Sequence, residues 1–223
     1  MKRLPIIICL AIGLTACTPS ETTQAPISTI AETTTTTTTT TLVPPDGKRS
    51  DERELVLVDT ISNDELRPKS IVHSGNGLFF SQNMMYRHNI SVFDRQGMLV
   101  TTIDDKVDLK AFGAEIPGRS SVVRGSPVEA AFSPDMQFGY VSNYAMYGKG
   151  WDPSADDTCQ GKDRDQSFVY RVHTSTFAID QVVGVGAVPK YLAVSPNNKY
   201  VVVSNFCSLD VSIIDVATGS EVK

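Results

Sequence analysis

From Ala187 onward the apolar positions come in short bursts of β-branched and aromatic residues. They predict four strands: Lys190–Ser195, Tyr200–Asn205, Val211–Val216 and one beginning near Glu221. The separators, Pro196-Asn197-Asn198, Ser208-Leu209-Asp210 and Thr218-Gly219, carry turn chemistry. Two strands read as continuous apolar runs, Tyr200–Val203 and Val211–Ile214 with Ser212 inside it, the pattern expected when both faces of a sheet are covered. A lone meander of four strands would leave both faces wet, so this unit requires neighbours.

The same pattern occurs upstream. The stretch from Pro127 through Ser133-Pro134 to Ser142-Asn143-Tyr144 superposes without a gap on the stretch from Pro189 through Ser195-Pro196 to Ser204-Asn205-Phe206. A fainter copy runs from Pro68 through Ser74 and Gly77 to Ser81-Gln82-Asn83, one residue shorter at its turn. A third strand follows each copy, at Ile90–Asp94, Phe168–Val172 and Val211–Asp215. Repeated four-stranded antiparallel units of this kind predict an all-β chain, a β-propeller with blades at about 62–104, 120–186 and 187–223.

The pattern P-x4-[FV]-SP-x3-[FY]-x-[YV]-VSN, followed at Val211–Gly219 by VSIIDVATG, resembles the YVTN-type β-propeller repeat, with VSN standing where YVTN gives that family its name. The resemblance spans roughly Glu54 to Lys223. It implies an architecture and an extracytoplasmic bacterial or archaeal setting, and it implies no particular activity. Glu54–Ile61 is expected to be a strand standing ahead of the first repeat, placed to complete a last blade. Three blades are fewer than the four to eight that close a propeller, and an open sector exposes an apolar flank and a bare strand edge. The chain is therefore expected to be the N-terminal part of a longer, seven-bladed protein, monomeric at full length. Completion by self-association is the alternative.

The beginning of the chain has a different character. Lys2 and Arg3 precede an apolar core, Leu4–Leu14, too short for a permanent membrane span, and Leu14-Thr15-Ala16-Cys17 resembles a lipobox. Residues 1–17 read as a lipoprotein signal, with Cys17 the lipidated residue and a membrane anchor. Residues 18–53 include the run Thr33–Thr41, have no apolar periodicity, and read as a disordered tether. As a random coil it would hold its cargo about 30–35 Å from the membrane. This arrangement predicts an extracytoplasmic, lipid-anchored bacterial protein.

Charge excludes one class of partner. Loss of Lys2 and Arg3 with the leader takes the −5 of the chain to −7, and no basic cluster interleaved with aromatic residues occurs, so nucleic acid is not an expected partner. Of four cysteines, Cys9 leaves with the signal and Cys17 takes lipid. Cys159 and Cys207 remain, in equivalent connections of adjacent blades. In an oxidising compartment they are expected to form a disulfide, the alternative being two free thiols.

The connection Tyr144–Gln166 is an insertion of roughly 19 residues relative to the third repeat, and such insertions build binding surfaces on repeat arrays. It holds the one tryptophan, Trp151, with Tyr144 and Tyr147, and five aspartates: Asp152, Asp156, Asp157, Asp163 and Asp165. Trp151 and Tyr147 could stack on a sugar or a peptide, or simply cover the base of the loop. The aspartates could take Ca2+, although Lys149, Lys162 and Arg164 lie among them and no calcium-loop spacing occurs; solvated acids are the simpler reading. No other cofactor is expected. His88, in the loop Met84–Asn89, could face the same surface. His73 aligns with Phe132 and Val194 and reads as packed or channel-lining, and His173 as solvated at a strand end. Ser133, Ser195 and the recurring Asn83, Asn143 and Asn205 read as architecture, because they recur with the repeat.

No spacing typical of a metalloenzyme, haem attachment or serine hydrolase appears. The reading is a non-enzymatic binding module whose rim loops engage a cell-envelope or extracellular protein, peptide or glycan. The alternative is a lactonase-like or cofactor-binding propeller enzyme whose site residues come from several blades.

Overall fold

The computed structural model describes residues 56–153, 159 and 165–222. The leader with Cys17, the threonine-rich tether, Glu54, and Asp156, Asp157 and Asp163 of the long loop lie outside the described residues.

The fold is all-β. The first sheet consists of β1 (Ser70–His73), β2 (Phe79–Asn83), β3 (Asn89–Phe93) and β4 (Leu99–Asp104), paired antiparallel in chain order. A small ribbon of β5 (Lys106–Asp108) and β6 (Val122–Arg124) follows, its connection opening with a 3-10 turn at Leu109–Phe112. The second sheet is β7 (Pro127–Phe132), β8 (Phe138–Asn143), β9 (Ser167–His173) and β10 (Ile179–Val185). The third is β11 (Pro189–Val194), β12 (Tyr200–Asn205), β13 (Asp210–Asp215) and β14 (Ser220–Glu221). β7 neighbours both β1 and β11, so the first strands lie side by side and the sheets fan outward as propeller blades.

Each blade is built by the same local devices. The first hairpin turns on a serine: the N–H groups of Leu78, Phe138 and Tyr200 donate to the hydroxyls of Ser74, Ser133 and Ser195 at 3.2, 3.0 and 2.9 Å. Those hydroxyls donate in turn to Asn76, Asp135 and Asn197, which closes an ST-type turn. The asparagine at the end of the second strand then fastens the chain entering the first. The Arg67 N–H donates to Asn83 Oδ1 at 3.1 Å, and the Ser126 N–H to Asn143 Oδ1 at 3.0 Å. Gly125 makes the second contact possible, since a Cβ there would stand 2.2 Å from Asn143 Oδ1. In the third blade the equivalent Asn205 keeps the donations that Asn83 makes to Asn89 and Ser91, here to Asp210 and Ser212, but its buried Oδ1 receives no N–H, and the Ala187 N–H goes to Ser208 Oγ instead.

Blades are joined by side-chain burial and by one recurring hydrogen bond. Phe80, Ile90, Val92 and Ile103 of the first blade pack on Ala130, Val141 and Val172 of the second. Tyr140, Val169 and Val183 of the second pack on Leu192, Val201, Val203 and Ile214 of the third. At about 1.5–3 kcal/mol for each buried side chain of this size, these faces dominate the stability. Both β7 and β11 lose regular register just after their opening prolines. The carbonyls freed there, of Val128 and Lys190, accept from Ser70 Oγ and Ser142 Oγ of the preceding blade, each at 2.7 Å.

Two expectations need correction. The run 56–61 forms no strand, and Val56, Leu57 and Val58 are 78%, 82% and 73% exposed; no sheet edge among the described residues pairs with them. The apolar runs of β12 and β13 are covered on one face only. Val202 and Val211 are 40% and 53% exposed, whereas the equivalent Tyr140 and Val169 are 3% and 1% exposed. The difference is a neighbour: the third blade covers that face of the second, and no described sheet covers it on the third. In addition the ribbon β5–β6 belongs to no repeat and has no counterpart between the second and third blades.

Substituting Asn143→Ala is expected to destabilise the protein by about 2 kcal/mol, because it leaves the buried Ser126 N–H without an acceptor. Urea unfolding measures this, and a loss below about 0.5 kcal/mol would mean that water replaces the amide.

Candidate functional site

Successive antiparallel strands place the β2–β3, β8–β9 and β12–β13 loops, and the connections between blades, at the same end of the sheets. The structure ties them together. Tyr147 pairs with Arg124 as a β-bridge, N–H to O in both directions at 2.8 and 2.7 Å, so the start of the long loop extends the β5–β6 ribbon. Ser120 N–H to Lys149 O at 3.1 Å continues the pairing. Beneath it Val107, Leu109, Ile116, Val123 and Met146 pack on Phe168 and Tyr170 of β9. The far part of the loop is fixed by the Cys159–Cys207 disulfide to the β12–β13 turn. A crosslink spanning 48 residues removes about 4 kcal/mol of chain entropy from the unfolded state on the loop-closure account.

Three side chains singled out in the sequence meet here. The His88 ring lies edge-on to Tyr147 at 4.9 Å, and Tyr147 edge-on to Trp151 at 4.5 Å. They form one row reaching from the first blade across the insertion, in the edge-to-face geometry that aromatic quadrupoles favour. His88 Nδ1 is 3.0 Å from Gly125 O, and its own carbonyl accepts from Arg124 at 3.2 Å. At the Trp151 end the row borders a cavity of about 230 Å³, lined also by Arg119, Tyr144, Asp152, Asp165 and Gln166. The Arg119 side chain is 4% exposed; it is ion-paired to Asp165 and donates to Met146 O, and its Nε is buried without a partner. Lys190 Nζ stands 4.4 Å above the Tyr144 ring.

Of the five loop aspartates, Asp152 and Asp165 thus share one cavity, and Asp165 is already engaged by a guanidinium. Among the described residues no three His, Cys, Asp or Glu side chains converge. His73 is exposed at the end of β1 with its ring 5.0 Å from Phe79, not packed in the interior. His173 is not simply solvated: its Nε2 lies 3.3 Å from Asp180 Oδ2 and its ring 4.5 Å from Phe138, because the β9–β10 hairpin brings Asp180 across from it.

The residues that sequence reasoning missed lie between the first two blades. Arg119, Arg124 and Asp105 belong to a connection that matches no repeat. One signal was present: Ile103, Asp105, Val107 and Leu109 occupy alternate positions, all buried, and an acid in such a series marks a special site. Asp105 is fully buried. Its Oδ1 is 3.5 Å from Arg124 Nη1, and its Oδ2 has no partner. Arg124 is shared with Asp104, at 2.6 and 3.3 Å. Burial pushes the Asp105 carboxyl up to about 9, against the pull of Arg124 and with the Asp104 charge adding to the rise. Burial likewise pushes the neighbouring Tyr170 phenol up.

No family model and no curated protein matches the sequence. Solved structures match at fold level. The hydrazine synthase of Kuenenia stuttgartiensis is 18% identical over 76% of this chain and 38% of its own, with a TM-score of 0.49. A putative 6-phosphogluconolactonase from Bacteroides fragilis is 20% identical over 70% of this chain and 38% of its own, with a TM-score of 0.43. The Dos1 propeller is 11% identical over 67% of this chain and 44% of its own, with a TM-score of 0.23. The chain thus spans less than half the length of each, and these similarities carry nothing about its chemistry.

Asp105 holds its proton in the folded state after the unfolded chain has released it, so it lowers stability as pH rises from about 4 to about 9. Asp105→Asn is expected to flatten that decline, whose slope approaches about 1.4 kcal/mol per pH unit for one full proton, and to raise Tm at pH 8. Thermal denaturation of both proteins from pH 5 to 9 measures it; parallel curves would show that Asp105 is ionised in the fold.

Proposed function

We propose that this chain is an extracytoplasmic propeller module, held to a membrane by lipid on Cys17 and a threonine-rich tether, that binds a cell-envelope or extracellular ligand through the loop end of its blades. The observation that carries the reading is the continuous row His88–Tyr147–Trp151 opening onto a cavity lined by Arg119, Asp152 and Asp165. Aromatic residues held in place by backbone pairing supply contact area at low entropic cost. Three separate constraints hold the insertion: the Tyr147–Arg124 bridge, the Arg119–Asp165 pair and the disulfide. A structural disulfide suits an oxidising compartment, in agreement with the leader. The reading is recognition, because the side chains that meet at this end, His88 with Tyr147 and Tyr147 with Trp151, form a contact surface of rings.

The test has two arms, both on the full-length protein. In fractionated cells Cys17→Ser is expected to move the protein from the membrane to the soluble fraction and to abolish labelling by palmitate; retention in the membrane would remove the lipid anchor from the proposal. Purified protein is expected to bind isolated envelope of the source cells, with Tyr147→Ala and Trp151→Ala each lowering affinity at least about tenfold, the loss of one well-packed anchor. Equal binding by wild type and both variants would place recognition elsewhere.

A further inference from the structure

The cavity beside Trp151 is more selective than the binding reading requires. Its volume, about 230 Å³, is below the range of roughly 300–1,000 Å³ filled by drug-sized ligands, so it takes a single ring and not a chain. Its polar groups carry both signs. Arg119 and Asp165 form a pair of net zero charge, Asp152 adds a second carboxylate, and Gln166 offers an amide whose Nε2 donates to Glu115 O. A ligand carboxylate or phosphate entering here meets two aspartates. An ammonium group meets a buried guanidinium. Arg119 lines the space with a side chain only 4% exposed, its guanidinium already shared between Asp165 and Met146 O, so what enters beside it must be able both to accept and to donate. A hydroxyl both accepts and donates, so one polyhydroxylated ring can satisfy the guanidinium and the carboxylates together. Trp151 and Tyr144 line the same space and offer the apolar contact that the C–H face of such a ring seeks.

We infer that the space between Arg119 and Trp151 is a subsite for one neutral sugar residue of a glycan. The inference rests on the binding reading above and names the chemistry of its ligand. The ring row from His88 to Trp151 leads away from the subsite and supplies contacts for the sugar units that follow.

Saturation-transfer NMR on the full-length protein tests this, with glucose, galactose and N-acetylglucosamine as neutral probes and acetate, inorganic phosphate and glycinamide as charged ones. Transfer to at least one sugar and to none of the charged probes is expected. Trp151→Ala and Asp152→Asn are each expected to reduce that transfer at least fivefold. Both substitutions fall on partly or fully exposed residues, and an unchanged Tm with the Cys159–Cys207 bond intact shows that the fold persists. No transfer to any sugar, transfer only to charged probes, or sugar transfer unaltered in both variants would overturn the inference. If envelope binding survives while the sugars fail, the subsite alone is wrong; if envelope binding is absent as well, the binding reading falls with it.

Discussion

The segment that enters each inner strand has backbone groups that its own sheet cannot pair. Where the first strand begins at a proline, the preceding N–H points away from the ladder, and the register break that follows frees a carbonyl. Two side chains answer this. An asparagine ending the second strand of the same blade takes the N–H, and a serine of the preceding blade takes the carbonyl. The first closes a blade on itself and the second fixes its distance from its neighbour. Burial of the large apolar faces follows from that spacing, because Tyr140 and Val169 can interlock with Leu192 and Val203 only when the sheets stand at this separation. The third blade shows the device partly undone. No backbone N–H reaches Asn205 Oδ1, and the chain before Pro189 enters through Val188 in the left-handed region, at a φ of 55°.

On this frame the loop end carries two insertions that depend on one another. The ribbon β5–β6 would be a two-stranded piece with little support of its own. Tyr147 extends it by a third segment, and Met146 fills its underside. In return the ribbon positions Tyr147 between His88 and Trp151. Asp105 lies at the root of this arrangement, and burial pushes its carboxyl up far enough to hold the proton near neutrality, against the pull of Arg124. The candidate site is therefore set by contacts between blades more than by the loop that contains Trp151.

Much of the fold was legible along the chain. Turn chemistry and β-branched runs located β12 without error and its neighbours to within a residue, because strands with strong patterns and explicit turns leave little choice of register. The recurring Ser74, Ser133 and Ser195 announced one turn made three times. The run 56–61 was equally apolar and still formed no strand, since a strand is completed by a partner edge that pattern alone cannot supply. The ribbon escaped notice for the opposite reason: its strands are three residues each, too short for periodicity to register.

The same division runs through the site. Local sequence determined that Trp151, Tyr147, Cys159 and the aspartates share one long insertion and that His88 sits in a loop of its own, because loop length and composition are properties of contiguous chain. Only the tertiary structure decided that His88 touches Tyr147, that Arg119 claims Asp165, and that Asp105 is buried beside Arg124. Each of these pairs joins residues many positions apart, brought together by the pairing of the β5–β6 ribbon and by its packing between the first two blades. The energies involved, desolvation and ring packing, depend on what surrounds a residue in space, and no window along the chain contains that neighbourhood.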